Sequence, residues 1–194
     1  MQNSVKEYLK SICLEIEKQD ISEWNKAGET LLNAFNAKKF IWVAGNGGNF
    51  ANSLHFATDW SKGLFVSVGQ ASLVRALGDN VATYSAFSND NGFEFQVSEQ
   101  LKMLSSPGDV AVLLTAGGGS LNIIRAAETA RNLGLTVLGL TGGNGMQHKE
   151  LFDIHIHVDS NNIQIVEDIH AMFGHAMLKY LESNFTPRLF GSED

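Results

Sequence analysis

Proline and cysteine are scarce in this chain of 194 residues: Pro107 and Pro187 are the two prolines, and Cys13 is the one cysteine. A single thiol cannot close an internal disulfide. That excludes a disulfide-stapled secreted scaffold and fits a reducing compartment. With so few prolines, and no Ser/Gly-rich or charged linker, nothing marks a domain boundary. Basic residues are outnumbered, 14 Lys and Arg against 21 Asp and Glu, for a net charge of −7. Broad contact with a nucleic-acid backbone needs the opposite balance, clustered on one face. No basic amphipathic stretch suggests a membrane surface. Long apolar runs are missing too. Stretches such as 110–114 fall far short of the ~20 residues that span a bilayer. The opening segment MQNSVKEYLK lacks the apolar core of a secretory signal. The cytoplasm is the expected compartment.

What is present points to an α/β fold. Hydrophobic residues make up 44% of the chain, enough for a sizeable core. Val5, Leu9, Ile12 and Ile16 recur at helical spacing, as do Trp24, Leu31, Leu32 and Phe35, so a helix pair precedes the sheet. Such a pair must bury its apolar stripe, and a second subunit is one way to do so. From residue 40 the texture changes. Apolar runs at 40–44, 109–114 and 136–140 each stop at a glycine-rich loop: Gly45-Asn46-Gly47-Gly48, Thr115-Ala116-Gly117-Gly118-Gly119-Ser120 and Thr141-Gly-Gly-Asn-Gly145. Helical patterns follow at 50–60 and 121–133. A further strand is expected at 153–158 and a long amphipathic helix at 163–185. A weaker strand is expected near 72–77, with a helix around 81–87. Short doubly apolar strands alternating with helices predict a parallel sheet covered on both faces. Ligands in such sheets bind beyond the carboxyl ends of the strands.

Glycine lets the backbone approach an anion, and the following helix N-terminus points free N–H groups at it. The loop from Thr115 to Ser120 suits a sugar phosphate, with Thr115 and Ser120 adding hydroxyls and Asn122 just inside the helix. A plain strand-to-helix turn also favours Gly and Ser, but two such loops in one small sheet favour the anion. Gly45-Asn46-Gly47-Gly48-Asn49-Phe50 lacks the third glycine of a dinucleotide fingerprint, and no acidic residue ends a second strand about twenty residues on. No triphosphate-binding G-x-x-x-x-G-K-[ST] occurs.

Imidazoles and carboxylates cluster twice. His55 and Asp59 are four apart and share a helix face, a workable half of a metal site. Glu167, Asp168, His170 and His175 lie on the last helix. Glu167 and His175 are about two turns, or roughly 12 Å of rise, apart, so both reach one ion only if it lies between them. Simpler readings stand beside these: a helix-surface pair for His55 and Asp59, dipole-favoured acids in a first turn, and a satisfied core histidine for His175. His155 and His157 share a strand face, as the polar side of an edge strand or as a second metal pair. His148 reads as a loop residue.

In order along the chain, GNGG at 45–48 with HFATD at 55–59 resembles GNGGS…HFAEE. NDNGF at 89–93 resembles GNDFGF, the 115–120 loop sits where STSGNS is found, and IQIVEDIH…H to His175 resembles IQEIH…H. Over roughly 40–185 the chain resembles the phosphoheptose isomerases of the sugar isomerase (SIS) family. The resemblance implies one SIS domain over 1–194, with 1–37 a helix pair used in oligomerisation, 38–186 a three-layer core around a five-stranded parallel sheet, and 187–194 a tail. It also implies a homotetramer with shared active sites and a zinc ion on His55, Asp59, Glu167 and His175. By the same resemblance the phosphate would lie on Thr115, Ala116, Gly117 and Ser120, and Asn46, Gly47, Gly48, Asn49, Asn89, Asp90 and Glu167 would line the sugar site. The implied reaction interconverts sedoheptulose 7-phosphate and D-glycero-D-manno-heptose 7-phosphate through an enediol, the first step of bacterial heptose synthesis. Asp59 is assigned as base and His175 as acid/base partner. The departures from the pattern are Asp59 for Glu, Glu167 for Gln, Asn49 for Ser, Ala116 and Gly117 for Thr and Ser, and Gly119 for Asn. They leave two alternatives, a non-catalytic relative that binds a replication initiator and an isomerase of another phosphorylated sugar. A SIS-domain transcription regulator is disfavoured, because no helix-turn-helix precedes the sheet.

Overall fold

The computed structural model describes residues 2–69 and 71–185; the expected tail at 187–194 lies outside them. Five short strands build one sheet: β1 (Ile41–Ala44), β2 (Val74–Ala76), β3 (Val110–Thr115), β4 (Thr136–Gly142) and β5 (Ile154–Val158). Their order is β2-β1-β3-β4-β5 and every pairing is parallel, with Ile41 opposite both Val74 and Val110. Both faces of β1 and β3 are buried, as continuous apolar runs require.

Val110, Val112 and Leu114 point to one side, with Ile41, Val43, Leu138 and Leu140. There they meet α2 (Ile21–Asn36), α3 (Gly48–Thr58), α4 (Leu64–Val68) and α8 (Ile163–Asn184) through Leu31, Phe35, Phe56, Leu64, Phe173 and Met177. Ala111 and Leu113 point to the other side, with Trp42, Ala44 and Val137. They pack under α6 (Gln96–Leu104) and α7 (Leu121–Asn132) through Val97, Leu101, Ile123 and Ala127. The expected three-layer sandwich is therefore present. Helix α6 has no counterpart in the sequence reading, because its buried face mixes Val97 and Leu101 with the polar Gln96, Ser98 and Gln100 and so blurs the apolar period. Helix α5 (Val81–Asp90) extends past the expected 81–87. The helix expected over 50–60 starts earlier, at Gly48, and passes at 59–63 into a π-helical turn before α4.

Helix α1 (Gln2–Glu17) lies across α8, burying Ile12 against Val166 and Ile169. Tyr8 donates from Oη to Asp168 Oδ2 at 2.6 Å, and that bond first, with some burial, pushes the phenol up to about 12. Val5 and Leu9 stay exposed. Of the stripe expected on α1 only Ile12 is covered in one chain, since Ile16 is exposed as well. Among the described residues no helix is long and apolar enough to cross a membrane.

The order β2-β1-β3 reverses direction at β1. A crevice opens between the carboxyl ends of β1 and β3, where doubly wound sheets bind ligands. Both glycine loops start at that crevice. The opposite ends of the same strands are fixed by Asp109, which is buried and accepts from Phe40 N and Trp42 Nε1 at 3.0 Å and Ser106 N at 2.9 Å. Asp109→Ala strands the buried Trp42 N–H and two part-buried backbone N–H groups and is expected to lower unfolding stability by about 2 kcal/mol, measured by urea denaturation.

Candidate active site at the sheet switch point

Helix α3 leaves the first glycine loop, and α8 crosses it. At the crossing His55 Nε2 lies 3.0 Å from Asp59 Oδ2 and 3.1 Å from His175 Nε2, and His175 Nε2 is 3.7 Å from the same carboxylate oxygen. The expected pairing across 120 residues of chain is therefore made within one molecule. The three side chains form the one cluster of potential metal donors among the described residues, each offering an atom within 4.8 Å of the others. Two imidazole nitrogens and a carboxylate oxygen converge here, each able to turn a lone pair toward one point. A cation satisfies such a set, and two nitrogens with one oxygen suit zinc. His55 and His175 are more than half exposed in the single chain, so the cluster sits at the surface.

Glu167 is not part of the cluster. It lies about two turns earlier on α8, and a Cβ on Gly48 would collide with its carboxylate. That carboxylate therefore lies against the N-terminus of α3, where the helix dipole favours it. The ligand set expected from the sequence is reduced, within one chain, to His55, Asp59 and His175.

The two glycine loops are tied together. Asn46 Nδ2 donates to Asn122 Oδ1 at 2.8 Å, and Asn122 Nδ2 returns a bond to Asn46 Oδ1 at 2.9 Å. Within the second loop the hydroxyl of Thr115 accepts from Gly118 N and lies 3.2 Å from Ser120 Oγ. These hydroxyls hold the loop in shape. Gly118 has φ +74°, and any Cβ there would strike Gly145, so glycine is obligatory. Gly117 and Gly119 face open space, leaving their backbone accessible beside Ala116. The first turn of α7 carries no side-chain cap; Ile123 N donates to the Ser120 carbonyl, and the amides of Leu121 and Asn122 point to where an anion would lie. Between the first loop and α5 lies a hollow of about 400 Å³ lined by Asn46, Gly47, Phe50, Tyr84 and Phe93. Asn89 and Asp90 sit in the last turn of α5, exposed and bonded to each other at 2.8 Å.

Behind the loops lie three further histidines, one buried and two half-buried. His170 is fully buried with Nδ1 2.9 Å from Asn49 Oδ1. Burial drives it down to about 3, so it stays neutral and steadies α3 against α8. His155 and His157 occupy one face of the edge strand, as expected, and both contact Thr141 Oγ1, at 2.7 and 2.9 Å. A hydroxyl has one proton to give, so one imidazole accepts and the other donates. Burial, then the neighbouring His157, lowers His155 to about 4; burial also lowers His157. His148 lies in a 3₁₀ segment, Gly143–Leu151.

With this geometry in view, the comparisons are consistent. The SIS domain family matches residues 6–142. This chain belongs to the SIS family. A phosphoheptose isomerase of Crocosphaera subtropica is 34% identical over 155 residues, 77% of this chain and 76% of the relative. A probable phosphoheptose isomerase of Thermoplasma volcanium is 31% identical over 166 residues, 86% of this chain and 84% of the relative. The solved phosphoheptose isomerase of Neisseria gonorrhoeae superposes with a TM-score of 0.85 at 26% identity, covering 94% of this chain and 98% of that one. That of Francisella tularensis, with a TM-score of 0.87 at 24% identity, adds agreement in fold.

The buried His170 and the half-buried His155 and His157 set a pH dependence. Their folded values lie below the ordinary 6.5, so below pH about 6.5 the unfolded chain binds more protons than the folded one. The urea midpoint is expected to be flat above pH 7 and to fall steadily from pH 6.5 toward 4. His170→Asn is expected to reduce that slope.

Proposed function

We propose that this SIS protein is a phosphoheptose isomerase that interconverts sedoheptulose 7-phosphate and the corresponding aldoheptose 7-phosphate. The single observation that carries the reading is the meeting of His55, Asp59 and His175 beside two linked glycine loops at the sheet switch point. An aldose–ketose conversion needs a base for the proton on carbon next to the carbonyl and an acid to move protons between the two oxygens. Asp59 takes the first role and His175 the second. The phosphate rests on the 115–120 loop and the open first turn of α7. Asn46, Gly47 and Gly48 face the sugar, whereas Asn49, expected there too, is buried on His170 and only holds the loop behind them; Glu167 accepts from the sugar hydroxyls, and Asn89 and Asp90 complete the sugar site. His55, Asp59 and His175 would hold a zinc ion, which when bound supplies Lewis acidity for the carbonyl.

The same reading places the helix pair of 1–37 between subunits of a homotetramer. The exposed Val5 and Leu9 and the open position of the histidine cluster support it. It treats the chain as one cytoplasmic SIS unit. The names of the matched relatives favour it over an initiator-binding role or a different sugar.

Sedoheptulose 7-phosphate incubated with the zinc-loaded protein is expected to yield aldose signals in the proton NMR spectrum. Asp59→Asn and His175→Ala are each expected to lower kcat by about 100-fold or more. No turnover by the loaded wild type would remove the proposal. Elemental analysis gives a second check, with zinc retained by the wild type and lost from His55→Ala and His175→Ala.

A further inference from the structure

The two residues assigned to proton transfer sit on different helices, each beside a member of one buried contact. Asp59 opens the π-turn and is followed by Trp60. His175 is preceded by Gly174. Trp60 is fully buried, and its Nε1 donates to the Gly174 carbonyl at 2.9 Å. An α-helical carbonyl already accepts along its own axis, so the indole uses the second lone pair. Trp60 stacks on Phe56 with ring centroids 4.9 Å apart, and a Cβ on Gly174 would drive into the Phe56 ring. The backbone of α8 therefore rests directly on this aromatic pair.

The far side of Trp60 is fastened as well. In the π-turn Leu64 N bonds to Asp59 O, five residues back. Such a turn breaks the regular run of backbone bonds, and the Trp60 carbonyl accepts from Ser72 Oγ at 2.6 Å. Trp60 is thus held at its carbonyl by the segment entering β2 and itself holds α8 at Gly174. One residue away on each side stand Asp59 and His175, 3.7 Å apart.

We infer that Trp60 is a positioning residue for the isomerisation: its indole N–H, bonded to the Gly174 carbonyl, sets the separation of Asp59 and His175. The inference rests on the proposed isomerase reading for its kinetic arm and on geometry alone for its metal-binding arm. A core tryptophan needs only its ring to fill space. Here a directed bond runs to the residue preceding His175, from the residue following Asp59.

Trp60→Phe keeps a buried ring and removes the N–H. A displacement near 1 Å costs about 100-fold in rate, so a sub-ångström relaxation is expected to lower kcat roughly ten-fold with KM nearly unchanged. Zinc affinity of the metal-stripped protein, read by chelator competition, is expected to fall in the same variant, because two of the three donors move. Ser72→Ala is the second variant, a milder loosening of the same residue. It is expected to lower kcat and zinc affinity in the same direction at an unchanged thermal midpoint, and it carries the test if Trp60→Phe fails to fold. Unchanged kcat and zinc affinity in a folded variant overturn the inference, as does a loss confined to KM. Failure of the functional reading looks different: a wild type with no turnover, whose zinc affinity still depends on Trp60, refutes the isomerase and leaves the positioning role standing.

Discussion

Helices α3 and α8 lie closer than ordinary side chains allow, and the site exists because of that approach. Two glycines permit it, one on each helix. Gly48 opens α3 where the Glu167 carboxylate rests, and Gly174 lies mid-way along α8 where the Phe56 ring presses on the backbone. A mid-helix glycine costs about 1 kcal/mol relative to alanine. The chain accepts that cost at Gly174, and dispersion between the Phe56–Trp60 stack and the backbone opposes it. Between the two glycines run Asn52 to the Glu167 carbonyl at 3.0 Å and Asn49 to His170 at 2.9 Å. These bonds tie the two helices together, so the histidine cluster is assembled by packing rather than by its own weak attraction.

The sheet supplies the rest. Reversal of winding at β1 brings the first and second glycine loops side by side, and the reciprocal amide bonds of Asn46 and Asn122 close the gap between them. A donor and an acceptor exchanged in both directions fix two loops with no charge. The anion-facing surface therefore keeps the positive end of the α7 dipole uncompensated, while Glu167 covers that of α3.

Much of this was legible in the sequence. The strands β1, β3 and β4 are unbroken apolar runs that end at glycine, and that pattern alone predicts a covered parallel sheet. His55 and Asp59 declared themselves by i, i+4 spacing. What spacing along the chain could not supply was distance through space. Glu167 and His175 share a helix, and their spacing could not say which one the crossing helix would meet. Gly174 carried a usable signal, a glycine inside an amphipathic helix, whose meaning depends on Phe56 lying 118 positions earlier in the chain. His155 and His157 were placed on the edge strand correctly, but their shared partner, Thr141, is a neighbour only through the sheet. Helix α6 stayed hidden because buried glutamines do not look like a core.

The π-turn at 59–63 makes the length of this segment a digital property. It accommodates one residue more than a regular helix would need over the same path. Deleting a residue there would restore ordinary winding over the same path but remove the widened turn, rotating the residues within it by about 100° and taking Trp60 or Asp59 off its partner. Substitutions in this stretch can be graded in their effects, whereas insertions and deletions leave no intermediate. Natural drift in the family should therefore change the letters here far more readily than their number.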